Sequence, residues 1–333
     1  MEKTGRPMRR GDLVEVRGPG EILATLDEEG TLDRMAFMPE MAAHCGRRFL
    51  VDRRAERVCD TVHYSGSRRP AGTVYLADLR CDGAAHDGCQ AECRYFWKEA
   101  WLRHVAPGQA DAGPADPREV ELLVARCARG LRRTIEVEGR SEVRWRCQAT
   151  DLPQATAHVK LWDPRGYLRE LTSGNVSFGH FLKVTARAAV QEPMRKLGLV
   201  PEIHLAGTRT APVIDPPLGL QPGEWVQVRS KEEIAATLSP QGRNKGLWFD
   251  REMMPYCGGT YRVRRRVSRF INDQDGKMIE LKNDCVTLDG VICSGDLSLR
   301  RWFCGRAIFP YWRESWLRRV DRGGTPGTHP QAR

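Results

Sequence analysis

The sequence predicts an α+β chain in which two homologous, small antiparallel β-barrels flank a mostly helical middle module. Three observations carry that expectation. The stretch GDLVEVRGPGEILATLDEEGTL from Gly11 returns as GEWVQVRSKEEIAATLSPQGRN from Gly223, and one constant offset then holds past Arg57 and Arg269, taking Cys45 onto Cys257. The repeated segments alternate apolar and charged residues, as half-buried strands do. The stretch between the copies carries helix start signals followed by apolar residues at helical spacing. A repeat read first keeps the whole fold from being misassigned.

The first copy, residues 11–105, opens with Leu13, Val14 and Val16 after a Gly-Asp turn. It closes with FWKEAWLRHV ending at Val105, which matches YWRESWLRRV ending at Val320 once the register has slipped by three residues. Residues 106–117 are rich in Pro, Gly and Ala and read as a linker. In the middle module, 118–204, Asp116-Pro117 caps and opens a helix whose Val120, Leu123, Val124 and Cys127 share one face. Asp163-Pro164 before Tyr167, Leu168 and Leu171 marks a second start, and Asn175 before Phe178, Phe181, Leu182 and Val184 a third. Residues 205–222 are a second linker. In the second copy, 223–320, Tyr261, Arg262, Val263 and Arg264 alternate. Residues 272–277 have hairpin-turn chemistry, with Met278, Ile279 and Leu281 as the return strand. Residues 321–333 have the composition of a disordered tail. Short strands, Gly-rich corners and the G-D/E-x-V-x-V opening resemble SH3-like or KOW-type barrels, a likeness of architecture and not of activity.

The chain of 333 residues is long enough for two or three domains. Its formal net charge of +10 favours acidic partners such as nucleic acid, anionic sugars or phosphorylated carriers. No run near the start has the apolar core of a signal peptide, and none approaches the roughly 20 apolar residues that span a bilayer. The expectation is therefore a cytoplasmic protein that does not engage the membrane. In a reducing compartment its 11 cysteines point to metal ligation, redox chemistry or burial before disulfides.

In the second copy Cys257, Cys285, Cys293 and Cys304 form a tetrahedral set by count, as zinc requires. Three have counterparts in the first copy: Cys45, Cys81 and Cys89. The first copy has no cysteine opposite Cys285 but offers Cys59 on the other arm of the expected hairpin. It also holds His86 and Cys93 in CDGAAHDGCQAEC, more candidates than one zinc needs. A structural metal would stabilise a small module with a thin core. Iron–sulfur ligation and plain core packing are the alternatives, because cysteine is among the most buried residue types.

Each copy closes on a Trp pair spaced as on one helical face, Trp97 with Trp101 and Trp312 with Trp316, rings suited to closing a core. Arg47, Arg48, Arg53, Arg54 and Arg57 in the first copy, with Arg262, Arg264, Arg265, Arg266 and Arg269 in the second, put a basic strand in the same place twice. On a solvated edge such a strand deters edge pairing, and beside exposed aromatics it suits a phosphate backbone. In the middle module Cys147, Trp162, Asp163, Arg165, Tyr167, Ser173, Asn175 and His180 are varied polar groups at helix starts, two of them already serving as caps. No triad ordering, phosphate loop or H-E-x-x-H helix accompanies them.

The strings GDLVEVR, MPEMAAHCGRRF, LRCDGAAHDGCQAECRYFWKEAWL, RWRCQAT and WDPRGYLRELTSGNVS resemble a family of uncharacterised bacterial proteins over nearly the whole chain. That resemblance implies a place beside natural-product or surface-polysaccharide assembly without naming a step. The expected function is a non-catalytic, metal-stapled accessory or scaffold protein that binds an acidic or carrier-bound partner. A nucleic-acid-binding regulator and a metal- or thiolate-dependent biosynthetic enzyme, with His86, Cys93 or Cys147 near the metal, are the alternatives.

Overall fold

The computed structural model describes residues 6–106, 108, 113, 115–199, 205–210, 216–282 and 284–320. The expected tail, 321–333, and parts of both expected linkers lie outside the described residues. The chain divides into two compact units: unit 1 comprises Met1–Phe181, Ile271–Ile279 and Phe303–Arg306, and unit 2 comprises Leu182–Phe270, Glu280–Trp302 and Ala307–Arg333. Two short segments of the second repeat are thus built into the unit that contains the first.

Unit 1 is organised on a five-stranded antiparallel sheet in the order Trp97–Lys98, Thr73–Leu76, Arg48–Arg54, Leu13–Val16, Leu102–His104. Val14, Val16, Val51, Val74 and Leu76 are buried beneath it. Glu15, also buried, is neutralised by Arg48 at 3.2 Å and Arg103 at 3.1 Å. Phe37 and Trp101 meet edge to face at 5.0 Å, and Trp101 Nε1 donates to Thr25 Oγ1 at 3.1 Å, so the ring buries its area without stranding its polar atom.

Unit 2 repeats the plan: Trp312–Arg313, Cys285–Leu288, Thr260–Arg266, Trp225–Val228, Leu317–Arg319. Phe249 meets Trp316 edge to face at 5.2 Å, and Trp316 Nε1 donates to Thr237 Oγ1 at 2.9 Å. Both long strands carry a register shift at the same place, between Val51 and Arg53 and between Val263 and Arg265. The duplication is therefore preserved down to single hydrogen bonds.

The expected pair of closed barrels is overturned. The strand orders do not return to their starts, and among the described residues neither sheet closes into a barrel. The physical reason lies in the short end strands: Trp97–Lys98 and Leu102–His104 are separated by the 3-10 turn Glu99–Trp101 and pair inward, with Thr73–Leu76 and Leu13–Val16. The Trp pairs are buried, as expected of core rings, but each straddles a strand and a 3-10 turn and not one helical face.

The middle stretch is likewise not a mostly helical module set between barrels. Asp116 and Asp163 do cap helices Pro117–Ala128 and Pro164–Thr172, accepting from Arg118 N at 2.9 Å and Arg165 N at 3.0 Å. Between them runs a hairpin, Arg132–Val137 with Arg140–Trp145, turning through Glu138 and Gly139, both at positive φ as a two-residue hairpin turn requires. Thr156–Val159 then joins Ser67–Pro70 and Val58–Cys59 in a three-stranded sheet. Asn175 does not cap the helix Phe178–Lys196. It accepts from Arg54 N at 2.8 Å and donates to Arg54 O at 2.8 Å and to the buried Glu170 at 2.7 Å, tying the middle stretch to the central strand of the sheet.

Candidate metal centre

Glu40 lies in the first turn of the 3-10 helix Pro39–His44, which Pro39 starts with its fixed φ. Cys81 opens the loop that runs from the central sheet to Cys93, and its N–H donates to Cys93 O at 2.8 Å. The loop turns through Gly83, at φ 79°, into the short 3-10 turn Ala84–His86. A Cβ on Gly83 would sit 2.0 Å from Cys89 O, so only glycine permits the turn that carries His86 inward.

These segments bring Glu40, Cys81 and His86 together, with one ligand atom from each lying within 4.8 Å of the others. Cys81 Sγ is 3.4 Å from Glu40 Oε1 and 3.6 Å from His86 Nε2, and His86 Nδ1 is 3.8 Å from Glu40 Oε1. A zinc tetrahedron with one thiolate and two lighter ligands has sulfur-to-ligand edges of about 3.5 Å. The two edges from Cys81 match it.

Burial dominates the electrostatics of this group. Glu40 Oε2 and His86 Nδ1 are buried and lack a hydrogen-bond partner, although each side chain is less than a tenth exposed. A buried acceptor left so is costly unless something satisfies it. Burial, with Asp82 nearby, raises the Glu40 pKa above the ordinary carboxylate range. Burial lowers His86 to about 4, which keeps the imidazole neutral and able to ligate. Burial first, and the Glu40 charge second, push the Cys81 thiol far up; a metal would reverse that by taking the thiolate. Tyr95, near Glu40, offsets a small part of that rise in the Glu40 pKa.

The second copy resolves the same carboxylate differently. At the constant offset Glu40 falls on Glu252, Cys81 on Cys293 and His86 on Ser298. Glu252 is buried, and its Oε2 accepts from Ser294 N at 3.0 Å and Ser294 Oγ at 2.7 Å. Its Oε1 accepts from Leu297 N at 2.8 Å, Ser298 N at 2.8 Å and Ser298 Oγ at 3.0 Å. Where the first copy presents unsatisfied atoms, the second presents a saturated carboxylate.

Of the other candidate ligands, Cys45 is buried in the core of unit 1, where desolvation pushes its thiol up to about 12. Cys59, Cys89, Cys93 and Cys304 all lie in unit 1, while Cys257, Cys285 and Cys293 lie in unit 2. Burial pushes Cys285 up to about 12 and Cys257 up to about 11. Among the described residues, Glu40, Cys81 and His86 are the one group of three whose ligand atoms come within 4.8 Å. Glu40 was missed by the sequence reading. Its signal was the recurrence of an acidic residue at matched positions, Glu40 and Glu252, just before the matched Cys45 and Cys257.

The arginines proposed to face a partner are engaged within the units. Arg53 pairs with Glu170 at 3.0 Å and donates to Phe303 O at 2.9 Å. Arg54 pairs with Glu56 and Glu99, and Arg57 is buried with its guanidinium 4.4 Å from the Tyr167 ring centroid. Arg264 pairs with Asp289, Arg266 with Glu314 and Asp284, and Arg269 with Glu280. Arg265 sits opposite Thr287 in the sheet register. A cleft of about 640 Å³ is lined by Ala42, Cys45, Arg47 and Arg48. Among the described residues no helix is long and apolar enough to cross a membrane. No protein-family model matches the chain, and no curated protein matches it.

Proposed function

We propose that this protein is a non-catalytic, metal-stapled accessory protein of a bacterial biosynthetic pathway, holding an acidic or carrier-bound partner. Glu40, Cys81 and His86 hold a structural divalent metal in unit 1, with zinc the best match to a thiolate, an imidazole and a carboxylate. The observation that carries the metal is the convergence of one ligand atom each from Glu40, Cys81 and His86 within 4.8 Å, with the Glu40 and His86 side chains less than a tenth exposed. Burial of the group supports a staple over a reaction centre. The bacterial pathway rests on the sequence resemblance, and the acidic partner on the net charge of +10.

The specific observation favouring the alternative, a metal-dependent enzyme, is that three protein ligands leave a tetrahedral metal one open position. The nucleic-acid reading draws less support, because the arginines that motivated it form internal ion pairs.

The test is elemental analysis of protein purified without affinity metals, beside a Glu40→Ala/His86→Ala double variant and a Cys285→Ser control. About one zinc per chain, lost in the double variant and kept in the control, is expected. Wild-type protein that takes up no metal even after zinc is supplied would overturn the staple. Chelation that removes the metal without lowering thermal stability would shift the reading to the enzyme.

A further inference from the structure

The cleft of about 640 Å³ in unit 1 is built from two stretches of chain. The 3-10 helix Pro39–His44 supplies Ala42 and Ala43, and Cys45 is its C-cap residue. Gly46, at φ 75°, turns the chain toward Arg47 and the strand Arg48–Arg54, and a Cβ there would meet Gly113 O at 3.0 Å. Ala115 and, from the helix Pro117–Ala128, Val120 complete the lining. The volume lies within the roughly 300–1,000 Å³ of small-molecule sites. Apart from the two arginines, glycine and small apolar side chains form the walls.

The charge of this cleft is one-sided. Among the described residues two guanidiniums line it and no carboxylate does. Arg48 pairs with the buried Glu15 at 3.2 Å, which fixes it within the sheet. Arg47 is exposed, forms no ion pair among the described residues, and lies with its guanidinium 5.5 Å from the Phe49 ring centroid. Burial keeps the Cys45 thiol protonated, so it adds no charge that would repel an anion. An uncommitted guanidinium beside apolar walls is complementary to one negative charge carried on an apolar body.

The second copy serves as an internal control. At the constant offset Arg47 falls on Gly259, Ala42 on Met254 and Ala43 on Pro255, while the pair Glu15 and Arg48 is replaced together by Gln227 and Thr260. These last two sit opposite each other in the sheet, as Glu15 and Arg48 do. The second copy nonetheless forms the same 3-10 helix and strand, Arg251–Tyr256 and Thr260–Arg266. The repeat therefore folds without an arginine at position 47 and without small residues at 42 and 43. Arg48 is accounted for by Glu15, and Arg47 is not accounted for by the fold.

We propose that this cleft binds a small apolar monocarboxylate, its carboxylate paired with Arg47 and its apolar body against Ala42, Ala43 and Val120. A single uncommitted guanidinium matches a singly charged head group better than a phosphate dianion. The site goes beyond the accessory reading above, and it neither uses nor requires the Glu40 group.

The experiment is isothermal titration calorimetry of the full chain at low ionic strength with hexanoate, octanoate, octyl phosphate and 1-octanol. Burial of two more CH2 groups is expected to make octanoate bind roughly tenfold tighter than hexanoate. Arg47→Gln is expected to weaken octanoate about tenfold and to remove its advantage over 1-octanol. Ala43→Leu, at an exposed position, is expected to weaken both by occupying the cleft, and Arg140→Gln, an exposed arginine that does not line it, to keep wild-type affinity. Wild-type protein that binds no octanoate at millimolar concentration, or Arg47→Gln that binds it undiminished, would overturn the proposal. Octyl phosphate binding more tightly than octanoate would overturn the choice of a singly charged head group. A ligand-free dimer that Arg47→Gln dissociates would assign the cleft to a second copy of the chain instead. Zinc content is expected to be unchanged in Arg47→Gln, so a failure here is distinct from a failure of the metal reading.

Discussion

Replacing Glu252 and Glu40 by alanine, one at a time, should give opposite dependences on metal. The Glu252 carboxylate accepts five hydrogen bonds from Ser294, Leu297 and Ser298. Hydrogen bonds to a charged group contribute about 1.5–3 kcal/mol each, but the two hydroxyls can turn to water once the carboxylate is gone. The three main-chain N–H groups are less able to do so, which leaves a net cost of about 3–4 kcal/mol. For a protein of this size that lowers the melting temperature by roughly 10 °C, and the loss should be the same in chelator and in zinc. Glu40 differs because Oε2 has no donor and burial already disfavours its charge. In chelator Glu40→Ala forfeits the Cys81 thiol contact, about 1 kcal/mol, and recovers part of it from relieved desolvation. In zinc at a thousandfold excess over Kd the wild type gains about 4 kcal/mol that the variant cannot. Thermal unfolding followed by circular dichroism, for each variant in both buffers, reads the four values. A Glu40→Ala loss that is equally large in chelator would show that Glu40 is an ordinary structural carboxylate, and the metal argument would fall.

Two further perturbations probe the same loop. His86 is held by burial at about 4 against 6.5 for the ordinary imidazole, so its folded pKa is depressed. Its contribution is therefore fully present above pH 6.5 and is lost as pH falls through about 4, with a size of about 3 kcal/mol. In metal-free protein the urea midpoint should fall between pH 6.5 and 4, and His86→Gln should remove that part of the slope; an unchanged slope would assign it to other groups. Gly83→Ala places a Cβ 2.0 Å from Cys89 O and should cost about 3 kcal/mol and weaken zinc retention. Gly88→Ala, at φ 69° with open space around its Cβ, should cost only about 1 kcal/mol and leave zinc competition against a chelator unchanged.

The duplication was legible because it preserved whole strings, and it located the matched sheets and the Trp cores, while the hairpin turn at residues 272–277 was legible from its own turn residues. The capped helices at Asp116 and Asp163 were legible because a cap is a local event between neighbours. Closure of a sheet is not local. Whether end strands meet depends on how far a three-residue turn lets them reach, and no periodicity encodes that. The hairpin Arg132–Val137 with Arg140–Trp145 was missed because most of its residues are partly or fully exposed, so no buried face imposed an apolar stripe. The arginines showed their charge in the sequence but not their partners: Glu170, which neutralises Arg53, lies far along the chain. Cysteine spacing failed for a similar reason. It could count candidates but could not foresee that the group around Cys81 and His86 would include a glutamate from a separate 3-10 helix.

The contrast between Glu40 and Glu252 bears on the metal proposed above, which the duplicated scaffold would hold in one copy only. A carboxylate has about four lone-pair directions, and Glu252 receives five donors, leaving none for a cation. Its donors come from the segment that corresponds to the Cys81 to His86 loop, so the second copy fixes that loop by hydrogen bonds alone. The first copy cannot do the same. Its loop turns through Gly83 and sends the His86 ring toward the carboxylate, and a neutral imidazole and a thiol offer too few donors to saturate two buried oxygens. The retained glutamate then has the same task in both copies, anchoring the loop after Thr73–Leu76 or Cys285–Leu288, through the serines at 294 and 298 in the second copy and, on the proposal above, through a metal in the first. Restoring ligands to the second copy would require removing those serine donors as well as adding a histidine, because a carboxylate already saturated does not become a ligand by gaining neighbours.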